Sequence, residues 1–535
     1  MSPRVRRGSR SLPVEEADFV IVGAGSAGCV VARRLGESSG ARVLVLEAGG
    51  PYSHGLDVPL VSLWFWSRRA ASLTWPHVTA PQSQLGGRRL AWPTGKLAGG
   101  SSSINAMIYL RGHPACFDRW AALGNRGWSF AECLPHFVRS ERYDGPGSEF
   151  HGTSGPLGVS ESRYRPASAE VFLAGCAEAG IPITPDFNGA TPEGAGFYQL
   201  TQWHGRRVSA GPAFLEPVVE PGRVTLLTGA TITRIEIESG RACGVEYRLG
   251  GELRRVRAAR EVILAAGALH SPAILMRSGV GPAEHLESHG IRVAVDSPAV
   301  GEHLHDHPGF PVVFRSRVPR PNRLASLAAG APEYALRRTG LFTSNLCDAG
   351  AVLRSTPGLE VPDVQIVFHW KALAPHPPDT VDLHLLVIDP KSRGSVRLRS
   401  SDPLASPVVD PGYLTDPADL RTAERGIEIC RTIGRTGAFR SAGLGPEMVP
   451  GEGSSREALH ESMRCGLTTG YHPAGTCRMG PNPAESVVDD RLRVHGITGL
   501  RVADSSIMPE VVSANTNAAA LMIGEKCAVF VLGRA

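Results

Sequence analysis

The chain has 535 residues, 42% of them hydrophobic and 20% charged, and its formal net charge is +5 at pH 7. This length and ordinary composition favour a globular protein with two domains or one interleaved pair. Four arginines in the first ten residues carry most of the excess charge. No extended basic surface of the kind that binds nucleic acid is therefore indicated.

The N-terminal segment 1–16 begins with polar and basic residues, and we expect it to be disordered. It lacks the hydrophobic region of an export signal, and the chain contains no run of about 18 apolar residues, so a transmembrane segment is not expected. Ten cysteines are scattered from Cys29 to Cys527 without C-x-x-C or zinc-finger spacing. These features predict a cytoplasmic protein with free thiols and no structural metal.

The stretch ADFVIVGAGSAGCVVARRL, residues 17–35, predicts a β-α-β unit that binds a dinucleotide. The apolar run 18–22 is typical of a buried strand, and Gly23, Gly25 and Gly28 follow at G-x-G-x-x-G spacing before a predicted helix at 26–35. Such glycines allow a tight turn, close approach of the backbone to a pyrophosphate, and close helix packing. A second strand, 42–46, ends in Glu47, which is suited to bind the ribose hydroxyls of NAD or FAD rather than NADP.

An irregular aromatic stretch contains Trp64, Phe65, Trp66 and Trp75. Two interpretations are open: these residues anchor a surface loop or form a dimer contact, or they form a lid over a substrate. The following segment, residues 92–112, reads WPTGKLAGGSSSINAMIYLRG. Its glycines remove side chains where the backbone approaches a ligand. Its three serines predict an N-cap for a helix, which would place Asn105 in the first helical turn.

These motifs resemble the glucose-methanol-choline family of FAD-dependent oxidoreductases, in its choline-dehydrogenase-like branch. The resemblance is carried by GGSSSIN at 99–105, YLRGH at 109–113, ALGNRGWSF at 122–130 and GALHSPAILMRSGVG at 267–281. It extends from about residue 17 to residue 532, and one departure is Ala98, where a larger aliphatic residue is usual. It implies an α/β fold, in which a Rossmann-like FAD-binding domain is interleaved with an α+β substrate domain built on an antiparallel sheet.

The resemblance also implies the residues that contact FAD. They are Gly23, Gly25, Ser26, Ala27, Gly28, Glu47, Ala48, Gly99, Gly100, Ser101, Ser102, Asn105, Ala106, Ile232, Ala266, Gly267, Asp504, Ser505, Asn517 and Ala518. Some relatives attach FAD covalently through a histidine before the glycine pair. Trp92 stands at that position here, and the surrounding AWPTGKLAGG has no histidine, so we expect noncovalent FAD.

The predicted domain boundaries follow the motifs. Residues 17–310 form the FAD-binding domain, with substrate-domain insertions around 150–200; residues 311–455 form the substrate domain; and residues 456–535 return to the FAD domain with the catalytic residues. Residues 223–248 predict strands joined by a turn at Ser239-Gly240, and a buried strand is predicted at 262–265. VPDVQIVFHW, TVDLHLLVID and RGSVRLRS predict strands of the substrate domain, and 419–433 predicts a helix. Phe368 and Trp370 share one strand face, for which core packing is the favoured role, and His369 lies on the other.

Residues 300–308, VGEHLHDHP, place His303, His305 and His307 on one face of an extended segment. A metal site is one interpretation. The family has a similar segment without metal, so we favour a structural role and predict no metal.

The catalytic residues implied by the resemblance are His472 and Asn515. His472 lies in TTGYHPAGTCRMG, and an imidazole can accept the hydroxyl proton of an alcohol near neutral pH. Asn515, before a predicted helix at 516–532, is suited to hydrogen-bond the substrate oxygen. Tyr471 is a candidate neighbour. The flavin takes the hydride, so we expect oxidation of a small alcohol to an aldehyde or ketone, with oxygen or a quinone or other carrier as final acceptor.

Two other activities and one nonenzymatic role remain as alternatives. A hydroxynitrile-lyase-like enzyme would use FAD without redox chemistry, and a flavin photodecarboxylase-like enzyme would carry a cysteine near Ile388 and lack the catalytic histidine. The sequence has isoleucine at 388 and histidine at 472, which disfavours photodecarboxylation. A merely structural flavoprotein would leave His472 and Asn515 unexplained. The alcohol and the oligomeric state are not indicated.

Overall fold

The computed structural model describes residues 15–38, 40–60, 62, 72–219, 222–317, 323–369 and 379–533. The predicted tail up to residue 14, the residues Trp64, Phe65 and Trp66, and Trp370 lie outside these ranges.

The strands are β1 Glu16–Val22, β2 Val43–Glu47, β3 Thr74–Val78, β4 Ala91–Gly95, β5 Glu141–Tyr143, β6 Leu157–Val159, β7 Gly194–Phe197, β8 Gln202–Trp203, β9 Arg206–Arg207, β10 Val224–Thr228, β11 Thr231–Glu238, β12 Arg241–Leu249, β13 Glu252–Leu264, β14 Val280–Gly281, β15 Val295–Asp296, β16 Pro308–Phe310, β17 Val313–Ser316, β18 Ala349–Leu353, β19 Val364–His369, β20 Thr380–Val387, β21 Ser395–Arg397, β22 Val408–Asp410, β23 Leu444–Val449, β24 Thr468–Thr469 and β25 Leu500–Val502.

The α-helices of the described residues are α1 Ser26–Ser38, α2 Pro114–Ala122, α3 Phe130–Ser140, α4 Ala167–Glu178, α5 Glu216–Val219, α6 Ser271–Arg277, α7 Ala283–Ser288, α8 Arg323–Arg337, α9 Pro417–Gly434, α10 Gly437–Ser441, α11 Arg456–Gly466 and α12 Asn517–Val531. Short 3₁₀ turns cover His54–Leu56, Ser83–Leu85, Gly100–Ser103, Leu341–Thr343 and Ser505–Ile507, and a π-helical turn covers Gly211–Leu215.

The first sheet has the strand order β10-β2-β1-β13-β12-β11, with β25 also paired to β13. Strands β10, β2, β1, β13 and β25 pair in parallel, and β1 lies between β2 and β13. Strand β2 is buried along its whole length, as expected for a parallel strand covered on both faces. The predicted β-α-β unit and the strands around the Ser239-Gly240 turn are confirmed.

The second sheet is antiparallel, with the order β23-β17-β20-β19-β18-β7, and β16 joins β20 to β24. Strand side chains alternate between its faces. Phe368 points into the second hydrophobic core and stacks on Phe172 of α4, with ring centroids 4.9 Å apart. Val367 points the other way, into the core of the first domain. This confirms the mixed α/β fold with an antiparallel substrate sheet and the packing role of Phe368.

Strand β7, from the segment 150–200, lies at the edge of this second sheet. Strands β16 and β24 also belong to it, although they fall just outside the predicted limits of the substrate domain. We keep the interleaved division as a proposal, which the sheet memberships support.

Two local predictions are wrong. The serines after Gly100 form a single 3₁₀ turn rather than capping a helix, and Asn105 follows that turn. Met107, two residues after Asn105, has φ +61°. The chain beyond it is extended, and the Tyr109 N–H donates to the Gln199 carbonyl. The RGSVRLRS segment is a strand, β21, but it pairs with β22 in a separate two-stranded sheet.

Helices α1 and α12 pack against each other through a buried ion pair. Glu525 is fully buried, and its carboxylate accepts hydrogen bonds from the Arg34 guanidinium at 2.7 and 2.8 Å and from Ser140 Oγ at 2.8 Å. Since both N-termini point to the site described below, this pair fixes their relative position. No helix of the described residues is long and apolar enough to cross a membrane.

Removing the buried carboxylate should destabilise the protein. In Glu525→Ala, Arg34 stays buried and keeps only the more exposed Glu37 as an acidic partner. We therefore expect the free energy of unfolding to fall by about 3–5 kcal/mol. Urea denaturation followed by fluorescence measures this loss. Glu37→Ala is the matched control, because its pair with Arg34 is 31% exposed on the Glu37 side and should contribute less than about 1 kcal/mol. Equal effects of the two variants would contradict this account.

Candidate active site

A cavity of about 440 Å³ lies beyond the carboxyl ends of β1, β2 and β13. This is the edge where parallel α/β sheets bind ligands. Predicted site residues that line it are Gly23, Gly25, Ser26, Ala27, Glu47, Ala48, Gly100, Ser101, Asn105, Ala106, Ile232, Ala266, Gly267, His472, Asp504, Ser505, Asn515 and Asn517. Gly28, Gly99, Ser102 and Ala518 lie behind this lining.

The glycines form a cradle that larger residues would fill. Gly23 has φ +101°, and a Cβ at Gly28 would lie 2.1 Å from the Gly23 carbonyl oxygen. A Cβ at Gly100 would lie 2.8 Å from the Gly25 Cα. The two glycine-rich loops therefore touch backbone to backbone beside the cavity. Gly28 and Gly99 shape this wall without lining the cavity, and Ser102 does the same by donating to the Gly99 carbonyl at 2.6 Å.

Glu47 places a buried carboxylate at the end of β2. Its oxygens accept hydrogen bonds from the backbone N–H of Ala24 at 2.9 Å and of Gly49 at 2.7 Å. Burial raises the pKa of this carboxyl, and the two backbone donors oppose that rise. Each oxygen keeps a further lone pair for a ribose hydroxyl.

Two helix N-termini meet at the cavity. Ser26 at the start of α1 donates to Asn517 Oδ1 at the start of α12, at 2.7 Å. Both helices therefore direct their positive dipole ends to the same place, which favours a negatively charged ligand group. Asp504 closes the opposite side, where it accepts from the Gly267 N–H at 2.9 Å and from Ser271 Oγ at 2.6 Å.

The residues present fit FAD. A glycine cradle and helix N-terminus suit a pyrophosphate, the Glu47 carboxylate suits a ribose, and the cavity continues past Asn105 to His472. Asn105 is held by Arg207, whose guanidinium donates to Asn105 Oδ1 at 2.9 Å. Burial lowers the pKa of Arg207 to about 10, so it remains a cation at neutral pH.

His472 and Asn515, predicted as the catalytic pair, are in direct contact. Asn515 Nδ2 lies 3.0 Å from His472 Nε2, and Gln365 Nε2 lies 3.5 Å from Asn515 Oδ1. Because the Gln365 amide donates to Oδ1, the Asn515 amide turns its N–H toward His472. His472 Nε2 is therefore unprotonated, and its lone pair accepts the Asn515 N–H. Tyr471 also borders the cavity and is 48% exposed.

The segment VGEHLHDHP supplies two supports for His472 that the sequence did not reveal. His307 Nδ1 lies 2.9 Å from His472 Nδ1, and Asp306 Oδ1 accepts the backbone N–H of His472 at 2.7 Å. Since His472 Nε2 is an acceptor, its Nδ1 carries the proton and donates to His307 Nδ1. His303 lies 3.4 Å from Arg478, whereas no partner is found for either ring nitrogen of His305 in the described part of the chain.

Burial sets the charge of this histidine pair. It lowers the pKa of His472 to about 4 and that of His307 well below the ordinary value. Both imidazoles are therefore neutral at pH 7. Within the described residues no group of three or more histidine, cysteine or acidic side chains is placed to hold a metal ion.

Other residues that line the cavity were not among the predicted contacts. Trp75 and His270 are in contact with their rings tilted by 47° and the ring centroids 4.6 Å apart, and His270 Nε2 lies 3.0 Å from His77 Nε2. His77 lies opposite Trp92 in the β3–β4 pair. His77 and His270 lie far apart in the chain and meet only in the fold, so the sequence around Trp92 does not reveal them.

Two family models match the chain, both described as GMC oxidoreductase. The N-terminal model covers residues 17–309 and the C-terminal model covers residues 390–524. The chain belongs to the GMC oxidoreductase family. It is thus an FAD-dependent oxidoreductase that acts on an alcohol, and the expected cofactor and reaction type are confirmed.

Similar proteins extend over nearly the full chain. An oxygen-dependent choline dehydrogenase of Rhizobium etli is 41% identical over 533 residues, covering 97% of this chain and 96% of the relative. An alcohol dehydrogenase [acceptor] of Pseudomonas putida is 39% identical, covering 96% and 95%. The solved structure of pyridoxine 4-oxidase from Mesorbium loti has a TM-score of 0.86 and 32% identity, covering 96% and 98%.

The close approach at Gly28 gives a test of the cofactor site in this GMC oxidoreductase. Gly28→Val should lower bound FAD at least about 10-fold, because its side chain displaces the Gly23 turn. The ratio of flavin to protein absorbance after purification measures this occupancy. Gly445→Ala is the control, because Gly445 lies in β23 outside the cavity lining and an added Cβ there would make only an ordinary contact, 3.5 Å from Arg315 Cβ. Full flavin content in folded Gly28→Val would contradict the assigned cradle.

Proposed function

We propose that this GMC oxidoreductase converts a primary alcohol, aliphatic or aromatic, to its aldehyde. The observation that carries the proposal is the contact between buried His472 and half-buried Asn515 at the end of the cavity. The substrate hydroxyl would take the place of the Asn515 N–H at His472 Nε2, donating to that nitrogen and accepting from Asn515 Nδ2. Bound FAD supplies the hydride acceptor, which no side chain can be.

His472 moves one proton in this scheme. Nε2 accepts the hydroxyl proton while Nδ1 keeps its own, so the ring becomes an imidazolium that donates to His307 Nδ1. His307 thus holds the tautomer that leaves Nε2 unprotonated, and it stabilises the cation by accepting its hydrogen bond. Asn515 holds the substrate oxygen in line, which aligns the carbinol C–H for transfer.

The cofactor contacts assigned above, noncovalent FAD and the final acceptor are part of the proposal. Trp92 at the attachment position of some relatives has no nucleophilic nitrogen, and it is fully buried. The names of the relatives include an oxygen-dependent and an acceptor-dependent enzyme, so oxygen and a quinone-type carrier are both candidates. We also propose a cytoplasmic location, which the ten cysteines support, because each lies in the described ranges and is unpaired.

Removing the base tests the assignment. His472→Ala should retain FAD but lower the rate of flavin reduction by an alcohol about 10²–10⁴-fold, the usual contribution of a general base. Anaerobic stopped-flow absorbance at the flavin band measures the rate with a panel of primary alcohols. His54→Ala is the control, because His54 is 66% exposed and lies outside the cavity lining. Wild-type rates in His472→Ala would remove His472 from its role.

The pH dependence should show a neutral base. Because burial holds the pKa of His472 near 4, Nε2 stays unprotonated through neutral pH, and activity is lost only as acid protonates it. We expect kcat/KM to be level above about pH 6 and to fall below about pH 5. Dye reduction at each pH, with flavin content as the control, gives the profile. An acid limb centred above pH 6.5 would show that His472 is not buried as described.

A further inference from the structure

A buried arginine holds the wall of the cavity at Asn105. Arg207 of β9 is 3% exposed, and its guanidinium donates to Asn105 Oδ1 at 2.9 Å and to the Asn105 carbonyl at 2.7 Å. It also donates to the Ser102 carbonyl at 3.1 Å and to Ser62 Oγ at 2.8 Å. One side chain therefore ties β9 to the 3₁₀ turn Gly100–Ser103 and to Asn105 beyond it.

Arg207 fixes which way the Asn105 amide points. A guanidinium only donates, so the amide atom that faces it is the oxygen, and the same oxygen accepts the Met107 N–H at 3.1 Å. The amide NH₂ group is therefore directed away from Arg207. Since Asn105 lines the cavity, this group is the part of the side chain left to donate to a bound flavin.

The positive charge of Arg207 has no directly bound carboxylate in the described part of the chain. Its guanidinium donates to uncharged oxygens, and its Nε has no partner among the described residues. Asp57 attracts the guanidinium from a greater distance, while its carboxylate accepts from Tyr52 OH at 2.9 Å and is 19% exposed. A buried cation of this kind is weakly screened, so its positive potential extends past Asn105 into the cavity.

A reduced flavin is the ligand state that such a potential stabilises. A hydride brings two electrons and one proton to the neutral oxidised ring, which leaves the ring with one negative charge. A cation near the ring therefore favours the reduced form and raises the reduction potential. His472 and His307 are neutral at pH 7 before an alcohol proton is transferred, so they do not supply this charge.

We propose that Arg207 is a positioning residue for the flavin, which orients the Asn105 amide and, with its buried positive charge, raises the reduction potential of bound FAD. The inference deepens the proposed function and rests on its placement of FAD against Asn105. It gives β9 a part in setting the driving force for hydride transfer, separate from the base and its partner.

Two substitutions separate charge from geometry. Arg207→Gln loses the cation, whereas Arg207→Lys keeps it without the planar fork. Anaerobic reduction of each holoenzyme with xanthine and xanthine oxidase, beside a reference dye at pH 7, gives the two-electron midpoint potential of FAD. We expect Arg207→Gln to favour the oxidised form at least about 10-fold, a fall of about 30 mV. Arg207→Lys should fall by less than about a third of that.

Arg431→Gln is the matched control, because it also removes an arginine charge. Arg431 is 14% exposed, pairs with Glu447 at 2.8 Å and lies outside the cavity lining. Its potential should equal that of the wild type.

Asp57→Asn tests the same field with the opposite sign. It removes a negative charge near Arg207, while the amide oxygen can still accept from Tyr52 OH. The reduced form should therefore gain about 2-fold or more, a rise of about 9 mV. This variant decides the question if the Arg207 variants do not fold.

An unchanged or higher potential in folded Arg207→Gln, or equal falls in Arg207→Gln and Arg207→Lys, would overturn the inference. An unchanged or lower potential in Asp57→Asn would do the same. The proposed function fails separately, because these potentials are measured without an alcohol. If no alcohol of the panel reduces the flavin, alcohol oxidation is wrong, while the midpoint potentials still decide the role of Arg207.

Discussion

A carboxylate buried beside His472, the proposed base, determines the geometry of the site. Asp306 accepts the backbone N–H of His472 and the hydroxyls of Thr469 and Tyr413. Burial raises the pKa of Asp306 to about 6, while these donors oppose the rise and favour the ionised form. Because the neighbouring residue His307 contacts the His472 ring, one short segment fixes both the backbone and the tautomer of the base.

The two sheets supply different parts of the site. The parallel sheet ends in the glycine turn, Glu47 and two helix N-termini, which together suit a negatively charged dinucleotide. The antiparallel sheet supplies Gln365 and, through β16 and β24, the segments that hold His307 and His472. Pairing of Pro308 with Thr469 brings His472, the proposed base, from the C-terminal segment to the cavity.

The sequence predicts the cofactor half of the site well because its determinants are local. The strand, glycine turn, helix and acid up to Glu47 follow one another in the chain, and the structure places them as expected. The capping serines before an apolar run predict a helix at Asn105. The chain there is extended instead, because hydrogen bonding to the segment near Gln199 overrides the local helix preference.

The substrate half depends on contacts between distant segments. The contact of His307 with His472 spans 165 positions and that of Gln365 with Asn515 spans 150. Periodicity does not report such pairs, so the alternating histidines of VGEHLHDHP were assigned only a structural role. Asp306 and His307 in fact reach the base, and this distinction required the fold.

The central claim is that an alcohol at His472 delivers its hydride to FAD. Anaerobic mixing of the purified yellow protein with an excess of a primary alcohol, unlabelled or deuterated at the carbinol carbon, tests it most directly. The account predicts bleaching of the flavin absorbance, and slower bleaching with the deuterated alcohol where C–H cleavage limits the rate. A flavin that stays oxidised while the protein still consumes a cyanohydrin would contradict the account and indicate a lyase.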